Sequence, residues 1–423
     1  MEVRRKGNVQ KLSLSCMTAM AVVHCVLPCL QTAAVRQYLS SDAAVTVVAI
    51  LLTAGLSMLL YAILIRKQVS SPENVCKEAV PKSERFVSID LARTTAAFLV
   101  CFVHVFLNFG YYQTPMIGKT MFALTGLRTV ALLCIPLFML ITGYLGVGKV
   151  DIRKAYRSIV SFLISVLMLK AVAYLLGRRT WSVSEAINHL LMYLTDENDA
   201  WYVGMYFGML FLMPFLNLGW ERLDRKEKQT LLMALLFICG ARSFSIRFFY
   251  TYWVGLYVFA YYFLGAYLRE YPLLLSKPTL MALFGSAILL ITVRTYVTSY
   301  QSVFEWNQFG NYSCDYNAFL VAIAGILLFF LLSQIKIRTR FGKTFLRFMG
   351  KNTLGIYLLS GAVQGRFLSG LGEKIHVSWQ NLPLWILYSA LTCLIAACFS
   401  EGVSLLQKGV RRLFAMKRRL PMK

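Results

Sequence analysis

Acidic residues are scarce in this chain of 423 residues. Asp and Glu number 19 against 44 Lys and Arg, which gives a formal net charge of +25. In a soluble protein this excess would suggest nucleic-acid binding. Here the cations lie in short segments between long apolar runs, which is typical of loops that set membrane topology. We therefore predict no nucleic-acid partner.

The sequence also lacks any Cys-x-x-Cys pair, although it contains ten cysteines. Such pairs are typical of metal and redox sites, so we predict no metal cofactor. Most of the cysteines lie within apolar runs, where we expect small buried side chains. There is no internal repeat. The longest stretch between apolar runs is only about 20–25 residues, which is too short for a soluble domain.

Apolar residues, by contrast, make up 58% of the chain, against about 45–50% in soluble domains. A helix needs about 20 such residues to cross a bilayer. The segments that meet this need lie near residues 13–35, 43–65, 90–110, 128–147, 158–176, 201–219, 229–241, 251–268, 279–297, 316–334, 352–370 and 384–406. The short segment 229–241 is included because later loops would otherwise lie on the wrong side. We predict an all-α, polytopic membrane bundle of about twelve spans.

Clusters of Lys and Arg recur in every second loop, as at Arg153, Lys154 and Arg157. This asymmetry predicts a multi-pass protein of the cell membrane with both termini in the cytoplasm. Residues 66–85 are polar and contain two prolines, which indicates a linker. The predicted parts are listed in chain order: a two-helix hairpin at 1–66, a linker at 67–87, a ten-helix body at 88–407 and a basic cytoplasmic tail at 408–423.

The third predicted span carries three ionisable residues, Asp90, Arg93 and His104. A charge at the bilayer centre costs about 2.5–3.5 kcal/mol, so such residues indicate function. On a helix Arg93 and His104 lie about 16 Å apart and share a face, with Asn108 one turn beyond. We expect this stripe to line a protein-facing cavity. Two structural alternatives stay open: Arg93 anchors the helix through Asp90, and His104 is a neutral histidine within the bundle.

Four stretches then link the chain to a family. They are IDLARTTAAFLVCFVH (residues 89–104), CIPLFMLITGYL (134–145), WYVGMYFGMLFLMPFLN (201–217) and GKNTLGIYLLSG (350–361). Each alone is only aromatic and apolar. Taken in order, with an arginine and a histidine separated by ten residues, the set resembles the acyltransferase-3 family of membrane O-acyltransferases. The resemblance covers about residues 88 to 407.

The resemblance implies catalytic residues. In that family the histidine of the first core helix is the proposed catalytic group and the arginine before it is essential, which implies His104 and Arg93 here. The family often has a second histidine after the GIYL stretch. This chain has Leu359 and Ser360 at that place, so we assign no second catalytic histidine. His104 is expected to act as a base or as a transient acyl carrier.

The resemblance also implies substrates. The family moves an acyl group, usually acetyl, from cytoplasmic acyl-CoA to a hydroxyl of a surface glycan or glycolipid. A basic Arg-x-x-Arg pair of the family is matched only approximately, by Lys154 and Arg157. We therefore expect Arg93, Lys154 and Arg157 to bind the phosphates of acyl-CoA, or acetyl-CoA. The acceptor is expected to be a surface glycan or a lipid-linked saccharide.

Other polar residues near the predicted outer boundary have two interpretations each. Four arginines either bind an anionic acceptor or reach from the helices to the membrane interface. They are Arg128, Arg242, Arg247 and Arg294. A carboxylate that orients His104 is also expected, and the candidates are Glu197, Asp199 and Glu305. Two other functions compete with acyl transfer. A transporter or flippase of glycan lipids would show two related halves, and a glycosyltransferase would need an acidic metal-binding pair with a large outer domain.

Overall fold

The computed structural model of the protein describes residues 82–114, 118–177, 184–185, 201–240, 249, 251–272, 275–301 and 315–417. All regular secondary structure within these ranges is helical, which confirms the predicted all-α fold. The predicted hairpin at 1–66 and most of the predicted linker lie outside the described residues.

The described part of the chain contains twelve helices of at least twelve residues. They are α1 (Lys82–Asn108), α2 (Gly118–Leu132), α3 (Cys134–Gly146), α4 (Ile152–Gly177), α5 (Trp201–Arg222), α6 (Arg225–Gly240), α7 (Tyr257–Glu270), α8 (Lys277–Gln301), α9 (Phe319–Ser333), α10 (Arg340–Lys351), α11 (Thr353–Phe367) and α12 (Leu382–Lys417). A 3₁₀ segment (Thr251–Leu256) leads into α7, and a single turn (Ser369–Gly372) follows α11. Helix α1 begins before the predicted start of the body at residue 88, and α12 continues beyond its predicted end at 407.

Six helical segments in the described part are long and apolar enough to cross a membrane. They are Val87–Asn108, Gly118–Gly146, Ile152–Gly177, Trp201–Arg222, Lys277–Thr295 and Trp379–Gly409. Each overlaps a predicted span, which confirms a polytopic bundle. Four shorter helices also lie at predicted spans: α6 with 16 residues, α7 with 14, α9 with 15 and α11 with 15. Each is shorter than the length of about 20 residues that usually crosses a bilayer. The count of twelve spans stays a prediction.

Helix α1 is the centre of the bundle and packs against α3, α9, α11 and α12. Small side chains at Ala92, Ala96, Ala97 and Cys101 are almost wholly buried. Small residues let membrane helices approach closely without leaving voids. The face of α1 that carries these small residues therefore packs against other helices instead of facing lipid.

Helices α3 and α7 cross with their backbones in contact. A Cβ atom at Gly143 would collide with the carbonyl oxygen of Tyr262, and one at Gly265 would collide with the carbonyl oxygen of Leu140. Only glycine fits at these two positions, because the colliding atoms belong to backbone that cannot rotate away. This crossing fixes the turn after α3 relative to α7.

Helix α10 occupies a segment whose basic composition predicts a cytoplasmic loop. Thr339 caps the helix, since its hydroxyl accepts a hydrogen bond from the backbone N–H of Gly342. Leu346 and Met349 are buried, and a Cβ at Gly350 would press on Asp90 of α1. The apolar residues recur at helical spacing between basic ones, which makes α10 amphipathic. It closes the Arg93 end of α1.

Candidate functional site

A cavity of about 810 Å³ opens at the Arg93 end of α1 and is bordered by α3, α4, α5, α10 and α11. Its walls combine cations with aromatic rings. The cations are Arg93, Lys149, Lys154 and Lys351, and the rings include Phe138, Phe162, Tyr202, Tyr206 and Tyr357. A charged mouth and an aromatic interior suit a ligand that has an anionic end and a long uncharged arm.

The cations of the mouth act on one another. The pKa of Lys149 is held below its ordinary value, first by burial and then by the positive charges of Arg269, Arg93 and Lys154. Asp151 also lines the cavity, so the cations are compensated only in part. The remaining like charges favour an anion, because the anion relieves their repulsion. The positive charge of the mouth would therefore favour a ligand with an anionic group.

Arg93 contacts Asp90 and also lines the cavity. Its Nη1 lies 3.7 Å from Oδ1 of Asp90, one turn earlier on α1. The Arg93 side chain nevertheless stays 36% exposed and lines the cavity. A pair at that separation in an accessible place is weak, so Asp90 orients the guanidinium without removing it from the cavity.

Lys154 and Arg157 lie in different places relative to the cavity, although both were expected to bind the phosphates of the donor. Lys154 lines the cavity near the start of α4. Its backbone N–H donates to Oδ1 of Asp151 over 3.0 Å, so Asp151 caps the helix there. Arg157 is exposed and is not part of the cavity wall. The structure thus brings Arg93 and Lys154 together and leaves Arg157 outside.

The turn that carries Lys149 is held by a buried network that the sequence did not reveal. Asn217 of α5 is fully buried, and its Nδ2 donates to the carbonyl oxygens of Gly146 at 2.9 Å and Lys149 at 3.1 Å. Tyr262 of α7 donates its hydroxyl proton to Oδ1 of Asn217 over 2.8 Å. Gly148 adopts a φ of 80° within the turn, which favours glycine. The only sequence signal was the Gly-Val-Gly-Lys pattern at 146–149.

Lys351, the fourth cation, is compensated. Its Nζ lies 2.7 Å from Oε1 of Glu401 on α12. Asn352 donates to the second oxygen of Glu401 over 2.9 Å, and Ser400 donates to Oδ1 of Asn352 over 2.8 Å. These bonds fasten the junction of α10 and α11 to α12. Lys351 therefore supports the wall of the cavity and adds little net charge to it.

His104 lies just beyond the inner end of the cavity. Tyr357 lines the cavity, and the centroid of its ring is 6.3 Å from that of His104. Nδ1 of His104 is 3.0 Å from Oγ of Ser360, and the Ser360 hydroxyl donates to the carbonyl oxygen of Tyr357 over 3.0 Å. The polar partner of His104 in the described part of the chain is thus a serine on α11.

The expected orienting carboxylates Glu197, Asp199 and Glu305 lie outside the described residues, as do Arg242 and Arg247. Arg128 is 6% exposed, and its Nε donates to the hydroxyl of Tyr112 over 2.7 Å. This arginine is inside the bundle instead of reaching to the interface. Within the described ranges no three His, Cys, Asp or Glu side chains are grouped so that they could hold a metal ion.

Comparison with known proteins gives one result that bears on these residues. Residues 86–401 match a family model, Acyl_transf_3, that is described as an acyltransferase domain. The match covers more than half of the chain and contains the whole cavity together with His104. No curated protein matches the chain, and no solved structure matches it.

Proposed function

Because the chain belongs to the acyltransferase-3 family and is therefore a membrane acyltransferase, we propose that it transfers an acetyl group from acetyl-CoA to a hydroxyl of a cell-surface glycan or a lipid-linked saccharide. Family membership favours this reaction over the transporter and glycosyltransferase alternatives. The observation that supports it best is a single cavity that joins a cationic mouth to the residue beside His104.

The donor is proposed to bind with its phosphates at the mouth. Arg93 supplies a planar fork that suits phosphate, while Lys149 and Lys154 add point charges. The predicted orientation places this mouth on the cytoplasmic side, where CoA is available. The pantetheine arm is uncharged and thin, and it would pass along Tyr206, Tyr202 and Tyr357. The helical spacing of Arg93 and His104, about 16 Å, is a length that the arm can bridge.

The tautomer of His104 is proposed from the hydrogen bonds around it. A hydroxyl has one proton, and that of Ser360 is donated to the carbonyl of Tyr357. The oxygen of Ser360 is then the acceptor for Nδ1–H of His104. Nε2 consequently keeps its lone pair and is the basic nitrogen.

The proposed reaction is a direct transfer. Nε2 of His104 takes the proton of the acceptor hydroxyl while the hydroxyl oxygen attacks the thioester carbonyl carbon. The carbon–sulfur bond breaks, and the leaving thiolate takes the proton back from His104. The products are an O-acetyl ester and free CoA. In a two-step route the same nitrogen would carry the acetyl group.

The test uses full-length protein in lipid nanodiscs with acetyl-CoA labelled in the acetyl group. His104→Ala should abolish transfer of label to envelope glycans while CoA binding, measured by calorimetry, is preserved. The control is His376→Ala, because His376 is exposed and lies apart from the cavity wall. Mass spectrometry after an acid quench separates the routes, since only the two-step route leaves an acetylated His104. Normal transfer by the alanine variant would overturn the mechanism.

A further inference from the structure

A second polar contact joins α1 and α11 one turn beyond His104. Nδ2 of Asn108 donates to Oε1 of Gln364 over 3.0 Å. The pair His104 and Ser360 is linked over the same distance. Asn108 follows His104 by four positions in α1, and Gln364 follows Ser360 by four positions in α11, so the two helices run parallel here. The two helices thus present two successive polar pairs, which we call rungs: His104 with Ser360 is the inner rung, and Asn108 with Gln364 is the outer rung. The outer rung lies about 6 Å further along the axis than His104.

The outer rung retains hydrogen-bonding capacity that the described part of the chain does not use. Gln364 is 5% exposed, yet its Nε2 has no hydrogen-bond partner among the described residues. A buried N–H without a partner is costly and is uncommon in native proteins. Asn108, the last residue of α1, is exposed, so the rung is accessible from the side of the bundle opposite to Arg93. A pair with one exposed amide and one buried, unused donor indicates a place for a ligand.

The chemistry of the rung limits what that ligand is. Primary amides supply N–H donors and carbonyl acceptors without charge, so the pair suits a neutral group that both donates and accepts. A hydroxyl does this, whereas a phosphate would favour the cationic mouth at the other end of the site. Because the outer rung is one helical turn from His104, a hydroxyl bound there would belong to the same molecule as the hydroxyl that is acylated. That molecule must therefore carry several hydroxyls.

We propose that Asn108 and Gln364 form the acceptor subsite, which binds a neighbouring hydroxyl of a saccharide while His104 takes the proton of the reacting hydroxyl. This inference rests on the proposed function. It adds that the acceptor enters from the end of the bundle opposite to the donor and is recognised through neutral hydroxyls. The two amides are positioning groups for the acceptor and take no part in donor binding.

The experiment measures acetyl transfer by full-length protein in nanodiscs to chosen probes. Octyl β-glycosides of glucose, galactose and N-acetylglucosamine represent lipid-linked saccharides. The methyl glycosides of the same sugars represent free saccharides. The alcohol 1-octanol offers a hydroxyl without a sugar. Gln364→Leu keeps the size of the side chain, and Asn108→Ala changes the exposed member of the pair. Each should raise the KM for the glycoside that the wild type uses about tenfold, with kcat changed less than about twofold and with CoA affinity unchanged. Leu107→Ala, at an exposed neighbouring position, is the matched control.

The outcomes separate this proposal from the one on which it rests. A wild type that neither binds CoA nor turns over acetyl-CoA overturns the proposed function and the subsite with it. A wild type that acetylates a glycoside while both variants keep its KM overturns the subsite alone. Equal use of 1-octanol and the octyl glycosides, or CoA turnover without transfer to any glycoside, overturns saccharide recognition by the rung.

Discussion

The hydroxyl of Tyr262 donates a hydrogen bond of 2.8 Å to the amide oxygen of Asn217. Both side chains are wholly buried, and Asn217 in turn holds the turn that carries Lys149. Gly146 is needed for this approach, because a Cβ there would press on the Tyr262 hydroxyl. A bond deep between α5 and α7 thus sets the position of a cation in the cavity mouth.

We predict that Tyr262→Phe lowers both stability and donor affinity. The change leaves the Asn217 oxygen without its buried donor, which costs about 1–3 kcal/mol, and loosens the turn. Thermal unfolding in detergent and calorimetric binding of CoA measure the two effects. Tyr267→Phe is the matched control, because the Tyr267 hydroxyl on the same helix accepts a hydrogen bond from Nε2 of Gln229 and not from the turn. The control should lose some stability and keep its affinity for CoA; equal losses of affinity would contradict the link to the turn.

Lys149 should make donor binding sensitive to alkaline pH. Its pKa in the folded protein is below the ordinary value of 10.5, through burial and the cations Arg269, Arg93 and Lys154. As pH rises through that lowered pKa, Lys149 loses its charge and the affinity for phosphate falls. The same deprotonation relieves repulsion, so the stability of the ligand-free protein should rise slightly in the window between the lowered pKa and 10.5. The two quantities therefore move in opposite directions.

The measurement uses desulfo-CoA, which has no thiol to titrate, between neutral pH and pH 10. Lys149→Arg is the informative variant, since a guanidinium stays charged throughout that range. Its affinity should stay flat where that of the wild type falls. A parallel decline in both proteins would assign the pH effect to another group.

Lys154 and Arg157 should differ in their contribution to donor binding, although the sequence paired them. Lys154 lines the cavity, and Arg157 lies outside its wall. Loss of a charge-assisted hydrogen bond to phosphate costs about 1.5–3 kcal/mol, so Lys154→Ala should weaken CoA binding about tenfold or more. Arg157→Ala, which removes an equal charge three residues away, should weaken it much less. The reverse ranking would show that the donor lies outside the cavity.

The first helix of the body shows how far sequence alone reaches. The spacing of Arg93, His104 and Asn108 along a helix predicted a shared, protein-facing stripe, and the structure places all three against other helices or the cavity. Their partners were not predictable, because Ser360 and Gln364 lie 256 residues away from the groups they contact. Only the packing of α11 on α1 brings them together. Local periodicity thus identifies a face of a helix, whereas the groups opposite that face depend on tertiary structure.

The same limit explains the two clearest omissions. Lys149 was not singled out because its neighbours Arg93 and Arg269 come from other segments of the chain. In α10 basic residues interrupt the apolar ones, so composition predicts a loop there, whereas the helical spacing of Leu346 and Met349 indicates a helix. Composition favoured the wrong interpretation there, and periodicity would have corrected it.

Removal of residues 1–66 should leave a folded and active enzyme. The family match begins at residue 86, and the cavity and His104 are built from residues within it. The truncated protein should insert into membranes and transfer acetyl groups at a rate comparable with the full chain. Fluorescence-detected size exclusion measures folding, and label transfer measures activity. Normal insertion with lost activity would show that the predicted hairpin belongs to the active unit.

Ser360→Ala should slow acetyl transfer without weakening donor binding. Ser360 is fully buried and accepts from Nδ1–H of His104 in the assigned tautomer. Without that acceptor the imidazole loses its fixed orientation, and the protonated form that arises during transfer loses a stabilising contact. A general base contributes about 10²–10⁴-fold, so we expect kcat to fall by at least tenfold while the KM for acetyl-CoA holds. Ser389→Ala is the control, because Ser389 is equally buried but bonds only to the backbone of its own helix. If both variants slow transfer alike, the effect of Ser360 is one of packing, and the assigned tautomer of His104 loses its support.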